Sequence, residues 1–228
     1  VNTIKDRSFG PDKNLVADYG SAVMRGMQDG GVVACAKHFP GHGDTEVDSH
    51  KALPVLKFPK ERLDSVELYP FRRLIKDGVE MVMVGHLLVP VLDTLPASVS
   101  KVVVTDLLRK KMKFRGLIIT DALGMEGVLE PFGGSGAKAT LAAYKAGVDI
   151  LLMPDNVSES IDLIVDYIGD DRRKLKDLDA RVSRVLALKG KCGKLTGRDD
   201  LSVDPAAVDT KGTDALITTI EETLAAGR

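Results

Sequence analysis

Tryptophan is absent from this 228-residue chain, cysteine occurs twice and histidine four times, and aromatic residues make up only 4% of it. So few rings leave no stacking platform for single-stranded nucleic acid. Charge of neither sign dominates. The 32 basic and 33 acidic residues give a formal net charge of −1, and no basic block occurs, so neither nucleic acid nor a membrane surface is expected as a partner. Long hydrophobic runs are missing as well: MVMVG and DILLMP are among the longest, far short of the roughly 20 apolar residues that cross a bilayer. Cys35 lies in an apolar run and Cys192 in a Gly/Lys-rich turn, without metal or redox spacing, which argues against a disulfide framework. The opening stretch, VNTIKDRSFG, has neither an initiator methionine nor an apolar signal-peptide core and reads as the interior of a longer protein. Any targeting segment is expected upstream, so localisation, whether cytoplasmic or secreted from a bacterium, is left open.

What the chain does contain is four short apolar runs: GVVACAK (31–37), VEMVMVG (79–85), RGLIIT (115–120) and GVDILLM (147–153). Each is continuous rather than alternating, the pattern of strands buried on both faces of a parallel sheet. Segments of helical spacing separate them. Over 12–31, Leu15, Val16, Tyr19, Val23, Met24 and Met27 form one apolar face, and Gly30–Gly31 ends the helix. Over 60–78, Leu63, Leu68, Phe71, Leu74 and Ile75 do the same, with a kink or break expected at Pro70. Stretches 100–114, 136–147, 158–168 and 175–193 complete the helical set. The alternation predicts an α/β fold with parallel strands and right-handed crossovers. Residues 1–195 are expected to form the main domain. Residues 196–228 read as a polar linker and a terminal amphipathic helix, with or without a further domain beyond.

Ionisable residues gather where the strands end. Lys37 and His38 follow the first run, His86 the second, Asp121 the third and Asp155 the fourth. That is the face on which parallel α/β folds build their sites. The loop after the first run, FPGHGDTEVDSH, holds His42, Asp44, Asp48 and His50 among turn-forming Pro40, Gly41 and Gly43. A metal cage is one reading of those side chains, but no fixed ligand spacing supports it, and no metal or cofactor is expected. An acid/base site is another: Asp48, two residues before His50, can fix the imidazole tautomer through one ring nitrogen and leave the other for proton transfer. A solvated loop is the third. His42 and Asp44 read as loop-shaping residues, and His86 as a structural histidine at least as readily as a ligand contact. Asp149 is expected away from the site.

AKHFPGHGDTEVDSHKALP resembles the signature of family 3 glycoside hydrolases, in particular their β-N-acetylglucosaminidase branch. GLIITDALGM is similar to the family's nucleophile strand, and DRSFG to its upstream substrate-binding segment. The resemblance runs from about Val1 to about Leu195. It implies a retaining hydrolase that removes terminal β-linked N-acetylglucosamine from cell-wall-derived or chitin-derived substrates, such as amino-sugar oligosaccharides or muropeptides. Asp121 would be the nucleophile, His50 with Asp48 the acid/base pair, and Arg7, Lys37 and His38 the sugar-binding residues. The family's barrel is of the (β/α)8 TIM type, and about four units are visible here. The chain therefore resembles the C-terminal half of such a barrel, and its expected partner is the missing N-terminal half or a second copy.

Alternatives remain on the same residues. A neutral His50 would not repel phosphate, which admits an N-acetylglucosaminide phosphorylase, and the residues do not exclude a β-glucosidase. A non-catalytic sugar-binding or structural fragment is a further reading. A complete doubly wound domain with a ligand at a topological switch point is the last, although no G-x-G-x-x-G or P-loop follows any strand.

Overall fold

A computed structural model describes residues 8–42 and 53–192. The chain divides into two units, Val1–Gly193 and Lys194–Arg228, and the described residues all belong to the first. Arg7, Asp48 and His50 lie outside them, as does Asp44.

Three parallel strands form the sheet: β1 (Cys35–Phe39), β2 (Met81–Val84) and β3 (Leu117–Thr120), in the spatial order β1-β2-β3. The fourth apolar run joins the far side of β3 by a single parallel bridge, Ile119 to Ile150, rather than as a strand. A side chain explains the difference. The Leu152 N–H donates to the buried Thr120 hydroxyl at 3.0 Å, where a regular ladder would use a backbone carbonyl. Met153, one residue on, has φ of +47°, which turns the chain out of the extended region. All four segments follow in sequence order, so among the described residues there is no strand reversal and no switch point.

Helices fill the connections: α1 (Lys13–Asp29), α2 (Lys60–Arg62), α3 (Leu68–Lys76), α4 (Glu126–Leu129), α5 (Gly136–Ala146), α6 (Val157–Ile168) and α7 (Arg172–Lys191). Between α2 and α3 the backbone passes through a π-helical turn, Leu63–Glu67. The helix is continuous from Lys60 to Lys76, and the break expected at Pro70 is instead an irregularity: the π-helical turn lies immediately before this proline, whose missing N–H interrupts the ladder there. The segment Val102–Lys111 is π-helical throughout.

The core is continuous from Phe39 and Phe71, whose rings meet edge to face, through Val82, Val84, Leu108 and Ile118. β3 is buried at all four positions, whereas β2 alternates: Val82 and Val84 are buried, Met81 and Met83 half-buried. One face of the sheet is therefore covered less completely than expected from its continuous apolar run.

The surface of α1 departs from the sequence reading. Its buried residues are Ala17, Ser21 and Met24, while Leu15, Tyr19, Val23 and Met27 form an exposed stripe. Val157, Ile161 and Val165 make a second such stripe on α6, and Leu175, Val182 and Leu186 are exposed along α7.

At the end of β3 away from Asp121, the Asp149 carboxylate is fully buried. It accepts from Arg109 at 2.7 Å, from Arg184 at 2.6 and 3.0 Å, and from the Ile118 N–H at 2.8 Å. This hub ties the fourth segment, the π-helical segment and α7 to β3, a structural part at the far end of the sheet. On the edge strand β1, burial pushes the Cys35 thiol up to about 11 from its ordinary 9.0.

Candidate active site

The C-terminal ends of the strands bring together His38, His86 and Asp121, and leave the others nearby. Asp121 is the first residue after β3. Its N–H continues the ladder to the Val84 carbonyl at 2.9 Å, and its Oδ1 accepts the Ala122 N–H at 2.9 Å. Oδ2 stands 3.6 Å from His38 Nε2. The carboxylate is 19% exposed and the imidazole 10%, so the pair sits at the bottom of a rim that solvent still reaches.

His38 belongs to β1, and β2 lies between it and Asp121. Strands lie about 4.8 Å apart, so this contact reaches across roughly 10 Å of sheet. Two local features allow it. Between Ala36 and Phe39 the β1–β2 register shifts: β1 spends two residues, Lys37 and His38, against Met83 alone. Such a bulge re-aims side chains and is a recurrent device beside active sites. Immediately after β2 comes Gly85, where a Cβ would meet the His38 Cβ at 3.0 Å. A residue with no side chain leaves the path over β2 open. The Lys37–His38 and Phe39–Pro40 peptide bonds are both cis. Lys37 is exposed at the same strand end.

Beyond β1, Gly41 has φ of +136°, and a Cβ there would meet the Glu67 Cβ at 2.8 Å, so both backbone and space demand glycine. His42 is 5% exposed and packs edge-on against His38, ring centroids 5.7 Å apart. The sequence reading made His42 a turn residue; the structure adds that its ring helps wall in His38.

His86 is fully buried. Its Nδ1 lies 2.6 Å from the Ser98 hydroxyl and its Nε2 2.8 Å from the Ala122 carbonyl, so the structural reading of this histidine holds, but its partner is the residue after Asp121. Ser98, also fully buried, is in the short 3-10 turn Ala97–Val99 and had no signal in the sequence beyond a serine ahead of a helix. Met125 is buried as a packing residue before α4. Asp155 is exposed, yet its carboxylate lies so near Gly124 and Gly136 that side chains there would crowd it.

The arrangement supplies a carboxylate with one oxygen engaged by a backbone donor and the other beside an imidazole, on a rim with a lysine. That suits attack on, or stabilisation of, an electron-poor carbon in a polar ligand.

Residues 1–188 match the glycosyl hydrolase family 3 N-terminal domain. β-Hexosaminidase A of Pseudoalteromonas piscicida is 32% identical over 82% of this chain and 35% of its own length. The β-hexosaminidase of Methylobacillus flagellatus is 36% identical over 68% of this chain and 45% of its own. The structure of a glycoside hydrolase family 3 β-N-acetylglucosaminidase from Paenibacillus sp. superposes with a TM-score of 0.79 at 36% identity, over 89% of this chain and 39% of that one. The chain thus spans less than half the length of these relatives.

Proposed function

The chain belongs to glycosyl hydrolase family 3, and from that premise we propose that it carries the nucleophile half of a retaining β-N-acetylglucosaminidase. The observation that carries this reading is the Asp121 carboxylate at the end of β3, with Oδ1 held by the Ala122 N–H and Oδ2 facing His38. In the first step Oδ2 forms a bond to the anomeric carbon as the glycosidic bond breaks, and the leaving oxygen takes a proton from His50. In the second, water delivers its oxygen to that carbon and its proton to His50, Asp121 departs, and configuration is retained. An imidazole, ordinarily titrating at about 6.5, can serve as donor and then acceptor near neutrality. Asp48 fixes its tautomer. His38 and Lys37, with Arg7, hold the sugar hydroxyls. The names of the relatives support the N-acetylamino sugar as substrate, and cell-wall or chitin fragments are the polymers that expose it.

In this proposal the described unit is the C-terminal half of a (β/α)8 barrel. Support comes from strands that follow one another without reversal and from apolar stripes on α1 and on α6 and α7, at the two ends of the array. The remaining strand–helix units of the complete enzyme would cover both.

The test uses that complete enzyme on an aryl N-acetyl-β-glucosaminide. Asp121→Asn and His50→Ala are each expected to lower kcat/KM by at least about a thousandfold, the scale of losing a covalent nucleophile or its acid. Rates near wild type in both would refute the assignment. In phosphate buffer the product is expected to be the free sugar; accumulation of sugar 1-phosphate would instead establish phosphorolysis.

A further inference from the structure

The Ala122–Leu123 peptide is pinned from both sides. Its carbonyl lies 2.8 Å from His86 Nε2, beyond the end of β2, and its N–H, that of Leu123, donates to the Leu152 carbonyl at 2.9 Å, on the fourth segment. The preceding peptide supplies the Ala122 N–H that holds Asp121 Oδ1. A carbonyl oxygen can only accept, so Nε2 of His86 bears the proton. In the neutral ring Nδ1 is then an acceptor for the Ser98 hydroxyl, 2.6 Å away. Both ring nitrogens are engaged and both residues are fully buried.

We infer that His86, its Nε2–H directed by the Ala122 carbonyl and its ring braced by Ser98, is a positioning residue that fixes the backbone carrying the Asp121 nucleophile. This rests on the function proposed above. A carboxylate attacking carbon must stand in line with the departing bond, and an error of about 1 Å can cost on the order of a hundredfold in rate. The Asp121 side chain is short and takes its Oδ1 contact from the next residue, so its aim is set by the Asp121–Leu123 backbone. His86 does not touch the substrate. It acts by keeping the Ala122 carbonyl still while Oδ2 moves onto the anomeric carbon.

The consequence is a fault in the glycosylation step that spares sugar binding. In the complete enzyme, His86→Phe fills the space without a donor and is expected to lower kcat by about thirty- to a hundredfold with KM within about threefold. His86→Gln, whose amide can donate to Ala122 and accept from Ser98, is expected to recover at least tenfold of that loss. Ser98→Ala, which removes the hydroxyl bracing the Nδ1 side of the ring, is expected to lower kcat about tenfold. The pre-steady-state burst of the aryl alcohol should slow in the same order, with unfolding midpoints showing that each variant is folded. A folded His86→Phe with wild-type kcat and burst overturns the inference, as does a glutamine variant no better than phenylalanine. Should His86→Phe not fold, a Ser98→Ala enzyme with a wild-type burst overturns it. Asp121→Asn, assayed alongside, separates the two levels. If it stays active, the functional reading fails and takes this one with it; if it is inactive while the His86 and Ser98 variants are normal, only the positioning role falls.

Discussion

A methyl group at Gly85 would press on the His38 Cβ at 3.0 Å, and the neighbour has to give by a few tenths of an ångström. Because His38 crosses over the end of β2 to reach Asp121, that small displacement is delivered to the carboxylate. Gly85→Ala in the complete enzyme is expected to lower kcat about tenfold while leaving the unfolding midpoint within a few degrees; steady-state kinetics beside a thermal melt checks both. At this scale the gathering of Asp121 and His38 on one rim was legible from their places beside apolar runs, although Lys37 and His38 lie within β1 and not after it. The His86–Ser98 pair was not. Its contacts join residues 12 and 36 positions apart, and spacing in sequence says nothing about which loops return to the same spot. His42 was read only as a loop residue for a related reason: a histidine among glycines reads as a turn, and only the fold reveals the His38 ring beside it.

Among the elements, the Asp149 hub shows how a strand too irregular to form a ladder stays in place. One buried carboxylate adds to the few backbone bonds between the two segments by accepting from two guanidinium groups and the Ile118 N–H. Asp149→Ala removes the anion and leaves Arg109 and Arg184 facing each other, at an expected cost of about 3 kcal/mol or more in urea-induced unfolding. A loss under about 1 kcal/mol would show that the hub is dispensable. β2 and β3 could be read from their apolar runs, and so could most helix limits, since Gly30 and Gly147 end α1 and α5 as expected, whereas β1 lies at the far end of its run and beyond, at Cys35–Phe39 instead of 31–37. The fourth run failed as a strand because the Thr120 hydroxyl takes the Leu152 N–H, a substitution invisible to hydrophobic pattern. The α1 periodicity was read correctly as helical but assigned to the wrong surroundings: its most apolar face points away from the described core.

For the whole molecule, those outward stripes matter more than any single contact. Leu15, Tyr19, Val23 and Met27 on α1 and Val157, Ile161 and Val165 on α6 are spaced four residues apart, the spacing of a helix face prepared for packing. The 228-residue chain by itself is expected to self-associate in sedimentation and to hydrolyse an aryl N-acetyl-β-glucosaminide at least about a hundredfold more slowly than the complete enzyme. A monodisperse monomer with full activity would contradict the half-barrel proposal. Charged residues placed at Val23 and Ile161 should weaken the self-association of the isolated chain and reduce the stability of the complete enzyme, a pairing of effects that a solvent-facing stripe would not give.

The Cys35 thiol turns the edge strand into a clock. Burial pushes its pKa up to about 11, so the Cys35 thiol stays almost wholly protonated at pH 8 while β1 stays paired, and an ordinary thiol is far more reactive there. Alkylation of Cys35 is therefore expected to proceed through moments when β1 lifts away from β2. Its rate at a fixed reagent concentration then counts those moments, and His38 rides the same strand. A substrate analogue that seats against His38 should slow the clock, and alkylation as fast as a free thiol's would mean that β1 does not hold its place.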